Sequence, residues 1–205
     1  MIEYFLRYHR RLLDALLQHI ALVGIVLIIS VACAFIITFL VMRNKRLANI
    51  VVRVFGAVYA IPSLALFAIL IPVLGIGAKT AIVVLVLYNQ FLLIRNFLSG
   101  FGSVDPVITE AAKGMGMTYL QILVKIQLPL SVPAIFAGIH IASVSTIGIA
   151  TIAAVINAGG IGTILFDGLR TMNTVKIVWG TILAGGLAIG TNAVLGLIEK
   201  KISDK

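Results

Sequence analysis

The chain is 205 residues long, 61% apolar and 11% charged, with a mean hydropathy of +1.16 and a formal net charge of +9. A soluble domain is about half apolar and about a quarter charged, so both departures point to lipid as the solvent. The cations stand in short clusters between apolar runs, without interleaved stacking aromatics. That arrangement argues against a nucleic-acid partner and reads as membrane topology. The single cysteine, Cys33, excludes an internal disulfide, and no Cys/His set has metal-ligand spacing.

Residues 1–18 carry Glu3, Arg7, Arg10, Arg11 and Asp14 among Phe5, Leu12, Leu13, Leu16 and Leu17 at helical spacing. This predicts an amphipathic helix at the membrane surface. Basic residues before an apolar run also begin a signal peptide. Here the uncharged run Ile20–Met42 is longer than a signal core and leads directly into Arg43, Lys45 and Arg46 with no small-residue cleavage site, so no cleavage is expected. Its 23 residues make a helix of roughly 35 Å, enough to cross a bilayer core.

The second uncharged run is Val54–Ala78. Pro62 and Pro72 should kink or end it, and Gly75 and Gly77 mark the turn that follows. The third, Thr80–Leu98, holds Asn89, Gln90 and Arg95. Residues 99–129 are the most polar interior stretch and read as short helices outside the lipid. A fourth span from Ser131 to about Ile156 contains His140, Ser143, Ser145, Thr146 and Thr151. Next come Asn157, Gly159, Gly160, Gly162, Asp167 and Arg170, a glycine-rich loop that either stays at the surface or dips back into the membrane. A fifth span, Ile177–Ile198, precedes the charged tail Glu199, Lys200, Lys201, Asp204 and Lys205.

The expected fold is therefore an all-α integral membrane protein, a single domain over 1–205. It has about five transmembrane helices near 20–42, 54–74, 80–98, 131–156 and 177–198, an N-terminal amphipathic helix and a polar loop at 99–129. Five spans put the termini on opposite sides. With the 99–129 loop in the cytoplasm, that side holds ten Lys and Arg and the other six. The bias sets the N-terminus outside and the C-terminus inside. Arg7, Arg10 and Arg11 oppose it, and would fit better if their helix lay on the membrane or if a sixth segment re-entered.

The spans offer His140 as an ionisable group and no carboxylate, so no catalytic residue is expected. A lone histidine in a span is first an interhelical hydrogen bond, although an intramembrane ionisable residue is also a pathway candidate. Gly77-Ala78-Lys79-Thr80 lacks the glycines of a phosphate-binding loop. The chain has no nucleotide site of its own, and energy for active transport would come from a partner. Gly186 and Gly190 lie one turn apart and could mark a close-packing face.

The informative segment is Glu110–Pro129. Thr109 can cap a helix that Glu110, Ala111 and Ala112 begin, and the alanines give it a thin face. Gly114 and Gly116 break it. A second short stretch puts Tyr119, Ile122, Leu123 and Ile126 on one side and ends at Leu128-Pro129. A thin helix on a rigid mount suits another protein's groove; a loop packed on its own spans fits these residues equally well.

The segment resembles the signature loop of importer-type ABC permeases: Glu-Ala-Ala, three residues, Gly, nine residues, Ile, one residue, Leu-Pro. Glu110, Ala111, Ala112, Gly116, Ile126, Leu128 and Pro129 match it without exception. Tyr59-Ala60-Ile61-Pro62-Ser63 and Ile156-Asn157-Ala158-Gly159-Gly160-Ile161-Gly162 are similar to the family's osmoprotectant branch, whose permeases carry glycine betaine, carnitine, choline and related compounds. Permeases for methionine and other small solutes share the same core.

The resemblance implies a bacterial plasma-membrane permease that pairs with a second permease subunit, identical or similar. Two ATPase subunits that bind ATP and magnesium would dock on the signature loops, and a substrate-binding protein would deliver solute outside. Glu110 to Gly116 would form the coupling helix, with Gly114 inside it and Gly116 making its sharp turn. The loop with Asn157, Gly159, Gly160 and Gly162 would lie at the outer mouth. Tyr59, Pro62, Ser63, Asn89, His140, Ser143 and Thr146 are candidates for the translocation path. Tyr59, Tyr88 and Trp179 look too scattered for an aromatic cage, which assigns tight recognition of an amine to the binding protein. Some relatives carry that protein fused at the C-terminus, so the chain reads as stand-alone or truncated. An ion-coupled carrier would need buried carboxylates, and a membrane enzyme would need an acid–base pair.

Overall fold

The computed structural model describes residues 1–203; Asp204 and Lys205, the end of the expected charged tail, lie outside the described residues. Every regular element among the described residues is helical. The chain order is α1 (Ile2–Val41), α2 (Lys45–Ala60), α3 (Ser63–Leu74), α4 (Ala78–Gly102), α5 (Pro106–Gly114), α6 (Tyr119–Ile122), α7 (Leu128–Ile152), α8 (Gly162–Arg170) and α9 (Thr174–Ser203). Four stretches are long and apolar enough to cross a membrane, and the bent pair α2–α3 brings the number to five if it counts as one broken span.

The amphipathic segment expected as a separate surface helix is the first half of α1. Its 40 residues continue without a break except for non-helical dihedrals at Tyr8. The reason is packing: Leu12 and Ala15 bury against Ile164 of α8, bordered by Tyr4, Trp179 and Leu183. Phe5 stacks on Trp179 at 5.1 Å, and the Trp179 indole N–H donates to the Met1 carbonyl at 3.2 Å. The helix thus lies on α8 and α9 rather than alone on a lipid surface.

The second apolar run is broken where Pro62 predicts it. Pro62 has no amide hydrogen and disfavours helix at the residue before it; Ile61 is extended, and α2 and α3 meet at 96°. Asn44 caps α2, its Oδ1 accepting from the amides of Arg46 and Leu47. Pro72 stays inside α3, which ends at Gly75, φ +84°.

Helices α4, α7 and α1 form the centre. Gly100 and Gly138 bring α4 and α7 together: a Cβ on Gly100 would stand 2.9 Å from that of Ala134, and one on Gly138 2.7 Å from that of Asn96. Phe97, Leu93, Ile94 and Ala34 fill one half of the core. Val26, Phe67, Val84, Leu85 and Ile147 fill the other. Helix α9 is peripheral and buries only Gly180, against Leu165. At Gly186 and Gly190, the pair that could have marked a close-packing face, an added Cβ would meet nothing within 4 Å; both line an open apolar groove with Leu16 and Ile20.

Candidate functional site

The polar segment between α4 and α7 folds as a helical hairpin. Its first helix starts earlier than expected. Asp105 is the cap, its Oδ1 accepting from the Val107 amide at 2.8 Å, and Pro106 takes the first turn. This aspartate–proline pair outcompetes Thr109, since proline's missing N–H is no loss at a helix start. Thr109 sits inside α5 and donates to the Pro106 carbonyl.

Glu110, Ala111 and Lys113 are exposed while Ala112 is fully buried. The helix stops at Gly114, and Gly116 reverses the chain at φ +80° in open space. The left-handed backbone, not crowding, therefore demands glycine at Gly116. Thr118 and Gln121 then form a reciprocal capping box that starts α6.

The second stretch does not end at Leu128-Pro129. Helix runs unbroken from Tyr119 to Ile156 through a π turn at Leu123–Gln127. The Leu128 amide bonds the Leu123 carbonyl, and this wider turn admits Pro129 near the start of α7 without a sharp stop. Ile122 and Leu123 are buried and Ile126 is half-buried, but Tyr119 points outward, with the Arg43 guanidinium 4.4 Å from its ring centre. Val107, Met115 and Leu120 are also largely exposed. The hairpin thus displays apolar and charged side chains together.

The expected path residues fall in three places: Asn89, Ser143 and Thr146 in the core, Tyr59, Pro62 and Ser63 at the α2–α3 break, and His140 between α7 and α9. Asn89 and Thr146 are buried in a knot between α1, α4 and α7. Asn89 Nδ2 donates to Ser30 Oγ at 3.2 Å and Thr146 Oγ1 at 2.9 Å, and Thr146 also returns a bond to the Ala142 carbonyl. Buried Ser143 bonds its own helix at Ile139. Asn89 and Thr146 thus tie α1, α4 and α7 together, whereas the Ser143 bond stays within α7. Tyr59, Pro62 and Ser63 lie at the α2–α3 break. Tyr59 is 36% exposed, its ring edge-on to Tyr88 at 5.6 Å and 5.3 Å from Phe91. Two aromatics that look scattered in sequence are therefore neighbours; Trp179 is not among them. The Tyr88 hydroxyl donates to the Ile61 carbonyl freed by the break.

His140 bridges α7 and α9. Its Nδ1 pairs with Asn192 Oδ1, and Nε2 lies 3.4 Å from a Glu199 carboxylate oxygen. Both ring nitrogens are engaged, as the interhelical reading of a lone histidine requires.

The glycine loop is organised by a residue not singled out from sequence, His19. It is fully buried; Nδ1 accepts the Ile161 amide at 3.3 Å and Nε2 donates to the Ile147 carbonyl at 3.2 Å. Its polarity, one position before the first uncharged run, was the available signal. Gly160 is at φ +79° with its Cβ position 2.7 Å from His19 Nδ1. At Gly162 a Cβ would fall 1.9 Å from the Thr151 carbonyl oxygen. Asn157 is left-handed at φ 59°, and Gly159 lies against Gln18, whose Oε1 accepts the Gly160 amide.

Beyond the loop, Asp167 pairs with Lys176 at 3.0 Å, Arg11 at 3.2 Å and Arg170 at 3.6 Å. The Lys176 hydrogen bond, against a smaller effect of burial, holds the Asp167 carboxyl below its ordinary value, and the Coulombic pull of the three cations adds to it. Arg11, one of the arginines that oppose the charge bias, is thus partly neutralised.

Residues 24–204 match the family described as binding-protein-dependent transport system inner membrane component. The carnitine transport permease protein OpuCB of Listeria monocytogenes is 34% identical over 205 residues, 100% of this chain and 94% of that protein. The choline transport system permease protein OpuBB of Bacillus subtilis (strain 168) is 34% identical, covering 91% and 86%. The glycine betaine/carnitine/choline permease protein OpuCD of Bacillus subtilis (strain 168) is 38% identical, covering 80% and 72%. Among solved structures, a chain of the MetNI methionine ABC transporter in an inward-facing crystal form superposes with a TM-score of 0.84 at 19% identity, covering 93% of this chain and 95% of that one.

Proposed function

Because the chain belongs to the family of binding-protein-dependent transport system inner membrane components, and is the multi-pass permease subunit of an ABC importer, we propose that its cargo is a small quaternary-ammonium osmoprotectant of the glycine betaine, carnitine and choline class. The names of the similar permeases support this cargo. The likeness to the methionine system speaks for the fold alone.

Coupling to a separate ATPase runs through the α5–α6 hairpin. The observation that carries this reading is the outward display of Glu110, Met115 and Leu120 around the Gly116 reversal, while buried Ala112, Ile122 and Leu123 anchor the same hairpin. ATP and magnesium belong to that partner. A second permease subunit completes the path, a binding protein supplies solute at the face bearing Asn157 and α8, and that face is outside. The exposed cations Arg43, Lys45, Arg46, Lys113 and Lys125 then face the cytoplasm.

The test is ATP-driven uptake by the reconstituted assembly, with labelled glycine betaine, carnitine, choline and methionine compared. Import of any of the first three and not methionine supports the cargo class; import of methionine alone overturns it.

A further inference from the structure

We propose that the aromatic wall at the α2–α3 break, with Tyr59 and Phe91 in front and Tyr88 behind, is a transit site for the cargo's quaternary ammonium group. The inference rests on the cargo class above and assigns a place to it within this chain.

The wall stands at a discontinuous span, the position where membrane helices can offer a binding site without exposing loose backbone to lipid. The Ile61 carbonyl released by the break is taken by the Tyr88 hydroxyl. That bond fixes the Tyr88 ring, which is only 3% exposed. Phe91 is held from the other side: its ring edge comes within 3.2 Å of the Cβ position on Gly56, so it lies directly on the α2 backbone. Tyr59 packs against both rings and keeps 36% of its surface open. The site therefore presents an aromatic surface of fixed orientation rather than a mobile side chain.

The surrounding charge decides what it can hold. Helices α2, α3 and α4 contain no aspartate or glutamate, only Lys45, Arg46, Arg53, Lys79 and Arg95. A cation passing here finds no carboxylate. A protonated amine gains most from free acceptors for its N–H groups, and the Ile61 carbonyl here already accepts the Tyr88 hydroxyl. A quaternary ammonium has no N–H to satisfy and is attracted by ring faces alone. The resulting contact is weak, as passage requires: a cation must enter and also leave.

The test uses choline on the purified chain in neutral detergent, read by saturation transfer to its trimethylammonium protons, with 3,3-dimethylbutanol as the uncharged isostere. Tyr59→Phe should bind choline as wild type does, and Tyr59→Leu should weaken it about three- to tenfold, the worth of one partly desolvated cation–π contact. Fluorinated phenylalanines at position 59 keep the shape and drain the ring face. They should weaken choline stepwise and leave the isostere unchanged, which keeps the test valid if Tyr59→Leu folds poorly.

A flat fluorination series overturns the site, whatever the assembly imports. If the assembly imports no quaternary amine while the series still titrates choline, the cargo reading falls and the site stands.

Discussion

His19 of α1 holds the backbone of Ile161, accepting its amide on Nδ1 at 3.3 Å while Nε2 donates to the carbonyl of Ile147 at 3.2 Å. One neutral imidazole thus joins the first span, α7 and the glycine loop. Removing it leaves a buried amide and a wider void, at a cost of about 1–3 kcal/mol. His19→Ala should lower the thermal midpoint in detergent and raise proteolysis within the Asn157–Gly162 loop. An unchanged midpoint would show that the loop is held elsewhere.

Gly116 has positive φ and free space around it, so its substitutions should follow backbone preference, not size. Gly116→Ala should cost about 1 kcal/mol and Gly116→Asn less, since asparagine tolerates this conformation better. In the assembled transporter, Gly116→Asp and Glu110→Lys should reduce substrate-stimulated ATP hydrolysis. Full coupling in both variants would remove the hairpin's assigned role.

Glycines of the same composition class should behave oppositely. A methyl at Gly162 meets the Thr151 carbonyl oxygen at 1.9 Å, whereas one at Gly186 meets nothing within 4 Å. Gly162→Ala should cost more than about 3 kcal/mol, at the upper end for overpacking, and yield little folded protein. Gly186→Ala should stay within about 0.5 kcal/mol. Expression yield and melting temperature of the two variants decide the matter.

The Asp167 cluster gives a pH signature. Its carboxyl is held below the ordinary value of 3.8 in the folded chain. The stabilisation it provides is therefore complete above that value and is lost as pH falls through the lower, folded one. Melting temperature should be insensitive to this group at neutral pH and fall below about pH 4. Asp167→Asn should melt lower at pH 7 and lose that component of the acid dependence. A parallel acid curve in the variant would show that the cluster contributes nothing.

What could be read from the sequence was local. Pro62 announced the break, and Gly116 the reversal, because each acts through its own backbone dihedrals. The Asp105–Pro106 helix start was equally local and was missed because Thr109 offered a second plausible cap. The π turn had no local signal, since its wide turn answers to Pro129 and to the anchoring of Leu123 together. Contacts between distant helices were not legible. Asn89 finds Ser30 and Thr146, and Tyr59 finds Tyr88, only when α1, α2, α4 and α7 assemble. Apolar periodicity places residues on faces but does not say which faces meet.

The unbroken helix from Tyr119 to Ile156 has a mechanical consequence. Its 38 residues run roughly 57 Å from the hairpin to the far side of the bundle, and the π turn at Leu123–Gln127 and Pro133 are the two places where it can bend. A tilt imposed at α6 therefore reaches Ile156 only as far as the π turn and Pro133 hold their geometry. There the helix abuts Asn157 and the glycines clasped by His19 and Gln18. One continuous helical stretch thus joins the exposed hairpin to the loop that His19 and Gln18 hold.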